Sequence, residues 1–189
     1  SSEPVRSLDD LKGKRVWVPE GDTMSYKSME ALSLNPVTLP ITDVLTGLQT
    51  GLIDIVTIPT IVGLVLQWHT KVKYITPVPL IYTFGYMAVD KKVFDKIDTK
   101  DQAIIREVMD RTYKKFDRSN PLDNENAYAA LINSGIKEIS FDEEEFIKVR
   151  ELLLKSNLKL GLEGGFSIKL YNEMLRFIDE FRNNKVYSN

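Results

Sequence analysis

Short apolar stretches alternate with amphipathic stretches over the first third of the chain, and this alternation constrains the fold more than any other feature. The stretches predicted as strands are 15–19, 35–39 and 53–57, and those predicted as helices are 23–32 and 42–50. Thr42 can cap the second helix and Gly51 can end it. The strands are mostly apolar rather than alternating, which is typical of a parallel sheet covered on both faces. The sequence therefore predicts an α/β fold with a βαβαβ lobe.

The rest of the chain is predicted to be mainly helical. Pro59 is placed to begin a helix that runs to about Trp68, and residues 73–78 and 81–89 have the character of extended segments. From Asp98 onward, apolar residues recur at spacings of three and four, which favours helices. A last strand is predicted over 136–141. The helix after it starts with Asp142 and Glu145 and is broken by three glycines, Gly161, Gly164 and Gly165. A final helix is predicted over 167–183. The segment 81–89 has no obvious sheet to join.

Composition excludes several functional classes. The 189 residues carry 25 basic and 27 acidic side chains, so the chain lacks the positive field that non-specific nucleic-acid binding requires. The chain has no cysteine and one histidine, His69, which excludes thiolate catalysis, zinc–thiolate sites and a multi-histidine metal site. No glycine-rich phosphate motif is present, and we expect no cofactor. The uncharged stretches 55–70 and 74–89 are too short and too proline-rich to be membrane spans.

Several motifs occur in a fixed order near the start of the chain. They are the stretch 8–14, the pair Val18-Pro19, the stretch 48–51, Asp54 and Pro59. Together they resemble the solute-binding proteins of TRAP transporters, the DctP-type family. The likeness is clearest over residues 8–100 and looser as far as residue 150.

This resemblance implies a periplasmic, non-enzymatic receptor that closes two α/β lobes on a small organic ligand and presents it to membrane permease subunits. Residues 8–80 would be the second lobe. Residues 81–189 would supply the hinge strands that return to an incomplete first lobe, together with the long C-terminal helices. The family's preceding N-terminal segment and a signal peptide are not present, and the sequence opens at Ser1. The chain is then either a fragment or a shortened relative.

Two departures from the family pattern bear on the ligand. The family usually carries an arginine just before the Val-Pro pair, where it can clamp a carboxylate, but here that position is Trp17. Arg15 lies on the same side of the strand but about 7 Å away. After Asp54 the chain has aliphatic residues around Thr57 where the family usually has more polar ones. We therefore expect an apolar or amphipathic, acid-like ligand rather than a small dicarboxylate.

The candidate ligand-binding residues follow from these positions. They are Trp17, Glu20, Thr57, Ile58, Trp68 and Tyr82. Glu20 lies at the carboxyl end of the first strand, where open α/β sheets bind ligands. Trp17 can equally be a core side chain, and core packing is the favoured interpretation of Trp68. Tyr82, with its neighbours at alternate positions, can equally be one wall of a core. His69 has the character of a residue at a helix end or on the surface.

The sequence leaves a second function open. An incomplete first lobe and a less polar site also fit an interaction or scaffold module that descends from such a receptor and no longer binds a small molecule. Exposed apolar surface would then be covered by a partner or by a second copy in a homodimer. Ligand identity, oligomeric state and whether the C-terminal helices pack in cis or exchange between subunits are not fixed by the sequence.

Overall fold

The computed structural model describes residues 1–80 and 85–186, with side chains as far as residue 183. Within the predicted extended segment 81–89, residues 81–84 lie outside the described part of the chain, and residues 85–89 form no strand. None of the described helices is both long enough and apolar enough to cross a membrane.

The predicted lobe is built around a short parallel sheet. After α1 (Leu8–Leu11), strand β1 (Arg15–Pro19) leads through α2 (Thr23–Ala31) to strand β2 (Asn35–Leu39), and the two strands pair in parallel over all five positions. The N-terminal end of α2 is capped by Asp22, whose carboxylate accepts the Ser25 N–H at 2.9 Å. Helix α2 is thus the crossover that joins the two parallel strands.

The third predicted strand, 53–57, is reduced to one bridge between Ile55 and Val16. The Trp17 N–H donates to the Ile55 carbonyl at 3.0 Å, which places this segment on the free side of β1. The N–H groups of Asp54 and Ile55 both donate to the Arg15 carbonyl, at 2.8 and 3.0 Å. Two successive donors thus share one acceptor, as in a β-bulge, and the described residues after Ile55 form no further bridge with β1.

The predicted helix over 42–50 begins differently from the prediction. A 3₁₀ turn, Ile41–Asp43, precedes α3 (Val44–Thr50), so Thr42 lies inside that turn and is not the cap of α3. Gly51 ends the helix as predicted, with φ of 69°, a left-handed conformation that glycine adopts without steric cost.

The helix predicted over 59–68 is split in two. Pro59 is the residue just before α4 (Thr60–Val65), and a separate 3₁₀ helix spans Trp68–Lys71. Gln67 lies between them with φ of 60°. A left-handed residue cannot continue an α-helix, so the chain turns and directs Trp68 back toward the sheet.

A second small parallel sheet joins the two halves of the chain. Strand β3 (Tyr74–Ile75) pairs with β4 (Lys137–Glu138), which is shorter than the predicted strand 136–141. Between the two strands lie α5 (Lys91–Phe94) and the 35-residue α6 (Thr99–Asn133). Asp98 caps α6 by accepting the Lys100 N–H at 2.9 Å.

Two long helices complete the chain. Helix α7 (Glu143–Leu162) begins where predicted, because the Asp142 carboxylate accepts the Glu145 N–H at 3.0 Å. Helix α8 (Ile168–Val186) follows after a turn at Gly164, which has φ of 86°. Helix α7 packs on α2, the helix that connects β1 and β2, and α6 packs on α4.

The core lies on both faces of β1, because successive side chains of a strand point to opposite faces. Val16 and Val18 pack with residues of α2 and with Val149 of α7. Trp17 points the other way and packs with residues of α3 and with Trp68. A helix from the far end of the chain therefore covers the sheet that the first third of the sequence builds.

Candidate ligand-binding site

A cavity of about 530 Å³ opens where α4, the 3₁₀ helix Trp68–Lys71, β3 and α6 meet. Most of its wall is apolar, with Ile55, Val72, Leu131 and Phe141 among the lining residues. The volume is within the range of small-molecule sites, about 300–1,000 Å³. A mostly apolar cavity of this size can hold an organic molecule of moderate size.

One side of the cavity is polar, because α4 and α6 meet there through side chains. The Thr60 hydroxyl donates to the Asn124 carbonyl oxygen at 2.7 Å. The Asn124 side-chain Oδ1 accepts the Ile61 N–H at 3.3 Å, and its Nδ2 donates to the Asn120 carbonyl at 3.0 Å. The hydrogen-bonding groups of Thr60 and Asn124 are thus engaged within the protein and fix the position of α6 on α4.

His69 lines the same cavity from the 3₁₀ helix and is half-buried. Its Nδ1 lies 3.2 Å from the Gly63 carbonyl oxygen. Because a carbonyl oxygen can only accept, this bond requires the proton on Nδ1 and leaves Nε2 as the ring atom that a ligand could meet.

The two tryptophans lie together in the core. Trp17 is 7% exposed and Trp68 is 2% exposed, and the Trp17 Nε1–H donates to the Leu39 carbonyl at 2.9 Å. Trp68 lines the cavity, whereas Trp17 is not among its lining residues in the described part of the chain. Trp17 thus supports the wall from behind through its contact with Trp68.

Arg15, the arginine nearest to the family's clamp position, is held by another residue. Its guanidinium forms a bidentate pair with the Asp54 carboxylate, with Nε and Nη2 each 2.8 Å from an oxygen. The Arg15 side chain holds the pKa of Asp54 below its ordinary value. The Arg15 backbone N–H also donates to Asp54 Oδ2 at 3.0 Å, so this pair fastens the third segment of the sheet to β1.

The structure brings three of the six predicted site residues together. Thr57, Ile58 and Trp68 line the cavity. Glu20 is exposed at the end of β1, apart from the lining residues. Tyr82 lies outside the described residues. Ligand contact by any of the six stays a prediction.

Sequence reasoning did not single out Asn124 and did not place His69 in a site. Asn124 meets Thr60 across 64 positions of sequence, and no local pattern encodes such a contact. A signal for His69 was present, because it is the single titratable side chain in the otherwise uncharged stretch 55–70. No group of three or more potential metal ligands occurs in residues 1–80 or 85–186.

Comparison with known proteins shows which family this chain resembles. The model of the DctP family, described as bacterial extracellular solute-binding protein, family 7, matches residues 1–159. A curated relative from Haemophilus influenzae, itself an uncharacterized protein, is 28% identical over 104 residues, which is 55% of this chain and 31% of the relative.

Solved structures of TRAP periplasmic solute-binding proteins have the same fold. One from Haemophilus influenzae RdAW with bound L-gulonate has a TM-score of 0.84 at 20% identity, over 95% of this chain and 58% of that chain. The sugar acid binding protein DctPAm from Advenella mimigardefordensis, in complex with galactonate, has a TM-score of 0.80 at 23% identity, over 86% and 52%. One from Desulfovibrio salexigens with bound orotic acid has a TM-score of 0.75 at 19% identity, over 92% and 57%.

The chain therefore spans little more than half the length of these solved relatives. The family match covers residues 1–159 of 189, which includes both small sheets and most of α7. The chain belongs to bacterial extracellular solute-binding protein family 7, the DctP family.

Proposed function

We propose that this protein is a non-enzymatic periplasmic solute-binding component of a TRAP-type transport system, and that its ligand is an organic acid with an apolar body. Membrane permease subunits would be its partners. The family membership and the fold support a receptor role. Residues 8–80 would form the second lobe, and residues 81–189 would supply return segments and C-terminal helices. Ligand contacts made only in the closed state would shift the lobes toward closure.

The apolar cavity is the observation that carries this proposal. No lining residue from the described part of the chain is aspartate, glutamate, lysine or arginine. A small dicarboxylate would bring two charges into a space whose lining holds one side chain that can be cationic, His69, so at least one charge would lack a side-chain ionic partner, which is costly. An alkyl or aromatic body instead contributes about 25 cal/mol for each Å² of apolar surface that it removes from water.

The acidic end of the ligand is supported by the relatives, whose bound molecules include gulonate, galactonate and orotic acid. The usual arginine clamp is replaced here by Trp17, and Arg15 is already paired with Asp54. One acidic group at the polar side of the cavity, with the rest of the ligand apolar, agrees with both observations.

A thermal-shift experiment tests this proposal with decanoate, succinate and D-glucuronate. We expect decanoate alone to raise the melting temperature, because a ligand at about 100 times its Kd stabilises the fold by about 2.7 kcal/mol. Stabilisation by succinate or glucuronate without decanoate would overturn the apolar ligand. No stabilisation by any of the three would count against this site as a receptor for organic acids.

A matched pair of variants connects the result to the cavity. Ile58→Ser makes the lining more polar and should weaken decanoate binding. Ile41→Ser changes a side chain that is 54% exposed and not part of the lining, and it should leave binding unchanged. Equal effects of the two substitutions would show that decanoate binds elsewhere.

The interaction module remains the second candidate, and one observation favours it. Leu170, Met174 and Phe177 recur along one side of α8 and are 66%, 48% and 56% exposed. Light scattering coupled to size-exclusion chromatography distinguishes the two candidates. A stable homodimer that responds to none of the three acids would support the module, whereas a monomer stabilised by decanoate would support the receptor.

A further inference from the structure

We infer that His69 is the residue that binds the acidic end of the ligand, replacing the arginine clamp that this chain lacks. The inference rests on the proposed function, since it concerns the same cavity. It assigns the specificity for an acid to the 3₁₀ helix Trp68–Lys71 rather than to the strand that carries Trp17.

Elimination among the lining side chains is the first step. Within the described part of the chain, His69 is the one lining side chain that can carry a positive charge. Ser1 also lines the cavity, but its amino group donates to the Tyr74 carbonyl at 2.9 Å, and burial lowers the pKa of that amino group to about 6. Arg15 is a poor alternative, because both of its paired nitrogens are held at 2.8 Å by Asp54. A carboxylate in an apolar cavity needs a donor and preferably a charge, and the imidazole can supply both.

The second step concerns which polar groups have hydrogen-bonding capacity to spare. The Thr60 hydroxyl donates to Asn124, and the Thr76 hydroxyl donates to the Val5 carbonyl at 3.1 Å. These donors are therefore engaged inside the protein. Thr57 lines the cavity with a hydroxyl that has no partner among the described residues, and it can add a second donor to a ligand.

The geometry of the His69 ring is the third step. The bond to the Gly63 carbonyl fixes the orientation of the ring through Nδ1. Nε2 then remains for the ligand, as a donor to a carboxylate in the charged ring and as an acceptor from a hydroxyl in the neutral ring. A ring that is held at one nitrogen loses little further freedom when a ligand binds at the other.

The test uses a substitution that separates the two nitrogens. In His69→Asn the side-chain amide nitrogen can replace Nδ1 and keep the bond to Gly63, but nothing replaces Nε2. Calorimetric titration with decanoate and with the neutral 1-decanol measures the effect. We expect His69→Asn to weaken decanoate binding by about tenfold or more and 1-decanol binding by less than about fivefold, because a hydrogen bond to a neutral hydroxyl is weaker than one to a carboxylate.

The outcomes separate this inference from the proposed function. Unchanged decanoate affinity in His69→Asn, with the wild-type protein binding decanoate, would overturn the role of His69 and leave the apolar-acid receptor intact. A wild-type protein that binds neither probe would overturn the proposed function and this inference with it. Equal losses for both probes would show that His69 only shapes the cavity, which also contradicts the inference.

A spectroscopic measurement needs no substitution. His69 is the only histidine in the chain, so its ring nitrogen resonances are assigned without mutants. We expect decanoate to move the Nε2 resonance more than 1-decanol does. A ring whose resonances do not move on saturation with decanoate would contradict direct contact.

Discussion

The indole rings of Trp17 and Trp68 meet edge to face, with ring centroids 5.3 Å apart and planes at 79°. This arrangement places the positive edge of one ring against the negative face of the other, which aromatic pairs favour. Trp17 lies in the middle of β1, whereas Trp68 starts the 3₁₀ helix, so the pair fixes the cavity wall to the sheet.

Removal of either indole should destabilise the fold strongly. We expect Trp17→Ala and Trp68→Ala each to lower the free energy of unfolding by about 3–5 kcal/mol, because each removes a buried aromatic side chain. Because the rings contact each other, the double variant should lose less than the sum, with a coupling of about 0.5–1.5 kcal/mol. Urea unfolding of the four proteins measures this, and strict additivity would contradict the contact.

The pair between Arg15 and Asp54 predicts a pH dependence of stability. The guanidinium lowers the pKa of Asp54 from 3.8. The stability that the ionised Asp54 contributes is therefore fully present above pH 3.8 and is lost as the pH falls through the lower pKa of the folded state. Both side chains are partly exposed, so Asp54→Asn should cost only up to about 1 kcal/mol at pH 7.

The difference between wild type and Asp54→Asn should narrow as the pH falls below 3.8 and through the lower folded pKa of Asp54. Asp110→Asn is the matched control, because Asp110 pairs with Lys114 within one helix and both side chains are more than 60% exposed. We expect its effect to stay below about 0.5 kcal/mol. A gap for Asp54→Asn that is constant from pH 7 to pH 2 would show that the charge of Asp54 does not cause it.

Helix α7 should stabilise the first sheet in cis. Val149 is 1% exposed and packs with Val16 and Val18, so Val149→Ala should cost about 2 kcal/mol for the lost methyl groups and the space they leave. Ile147 lies on the same helix and is 56% exposed, so Ile147→Ala should cost about 0.5 kcal/mol or less. Equal costs, or a cost for Val149→Ala that depends on protein concentration, would indicate that α7 does not pack as described.

The turn after α3 should require glycine. Gly51 has φ of 69° and no heavy atom within 4 Å of the position a Cβ would take, so any penalty at this site comes from the backbone and not from crowding. Gly51→Ala should destabilise by about 1 kcal/mol, and Gly51→Asn by less, because asparagine tolerates the left-handed region better. Chemical unfolding measures the order, and an alanine variant as stable as wild type would contradict it.

Much of the first sheet could be predicted from the sequence, because its signals are local. Strands 15–19 and 35–39 carry their own apolar pattern and match β1 and β2. Gly51 and Asp142 mark helix ends through their own backbone conformation or side chain, and both predictions were confirmed. The ordered motifs that resemble DctP-type proteins lie in the same region, and the family match confirmed them.

The missed features depend on contacts between distant positions. The break at Gln67 redirects a helix whose apolar pattern reads as continuous, and the burial of Trp68 against Trp17 determines where the chain goes next. The third strand is reduced to the bridge between Ile55 and Val16, which the apolar pattern of 53–57 does not show.

The sequence by itself determined the α/β class, the parallel strands, the ends of several helices and the family, because these depend on side-chain periodicity and on single capping or turn residues. Only the tertiary structure decided which side chains line the cavity. Trp17 and Thr57 were predicted site residues and His69 was not, yet Trp17 lies behind the wall while Thr57 and His69 line it. The physical reason is that burial and hydrogen-bond partners arise when α4, α6 and the 3₁₀ helix at Trp68 pack together, across separations that no local pattern records.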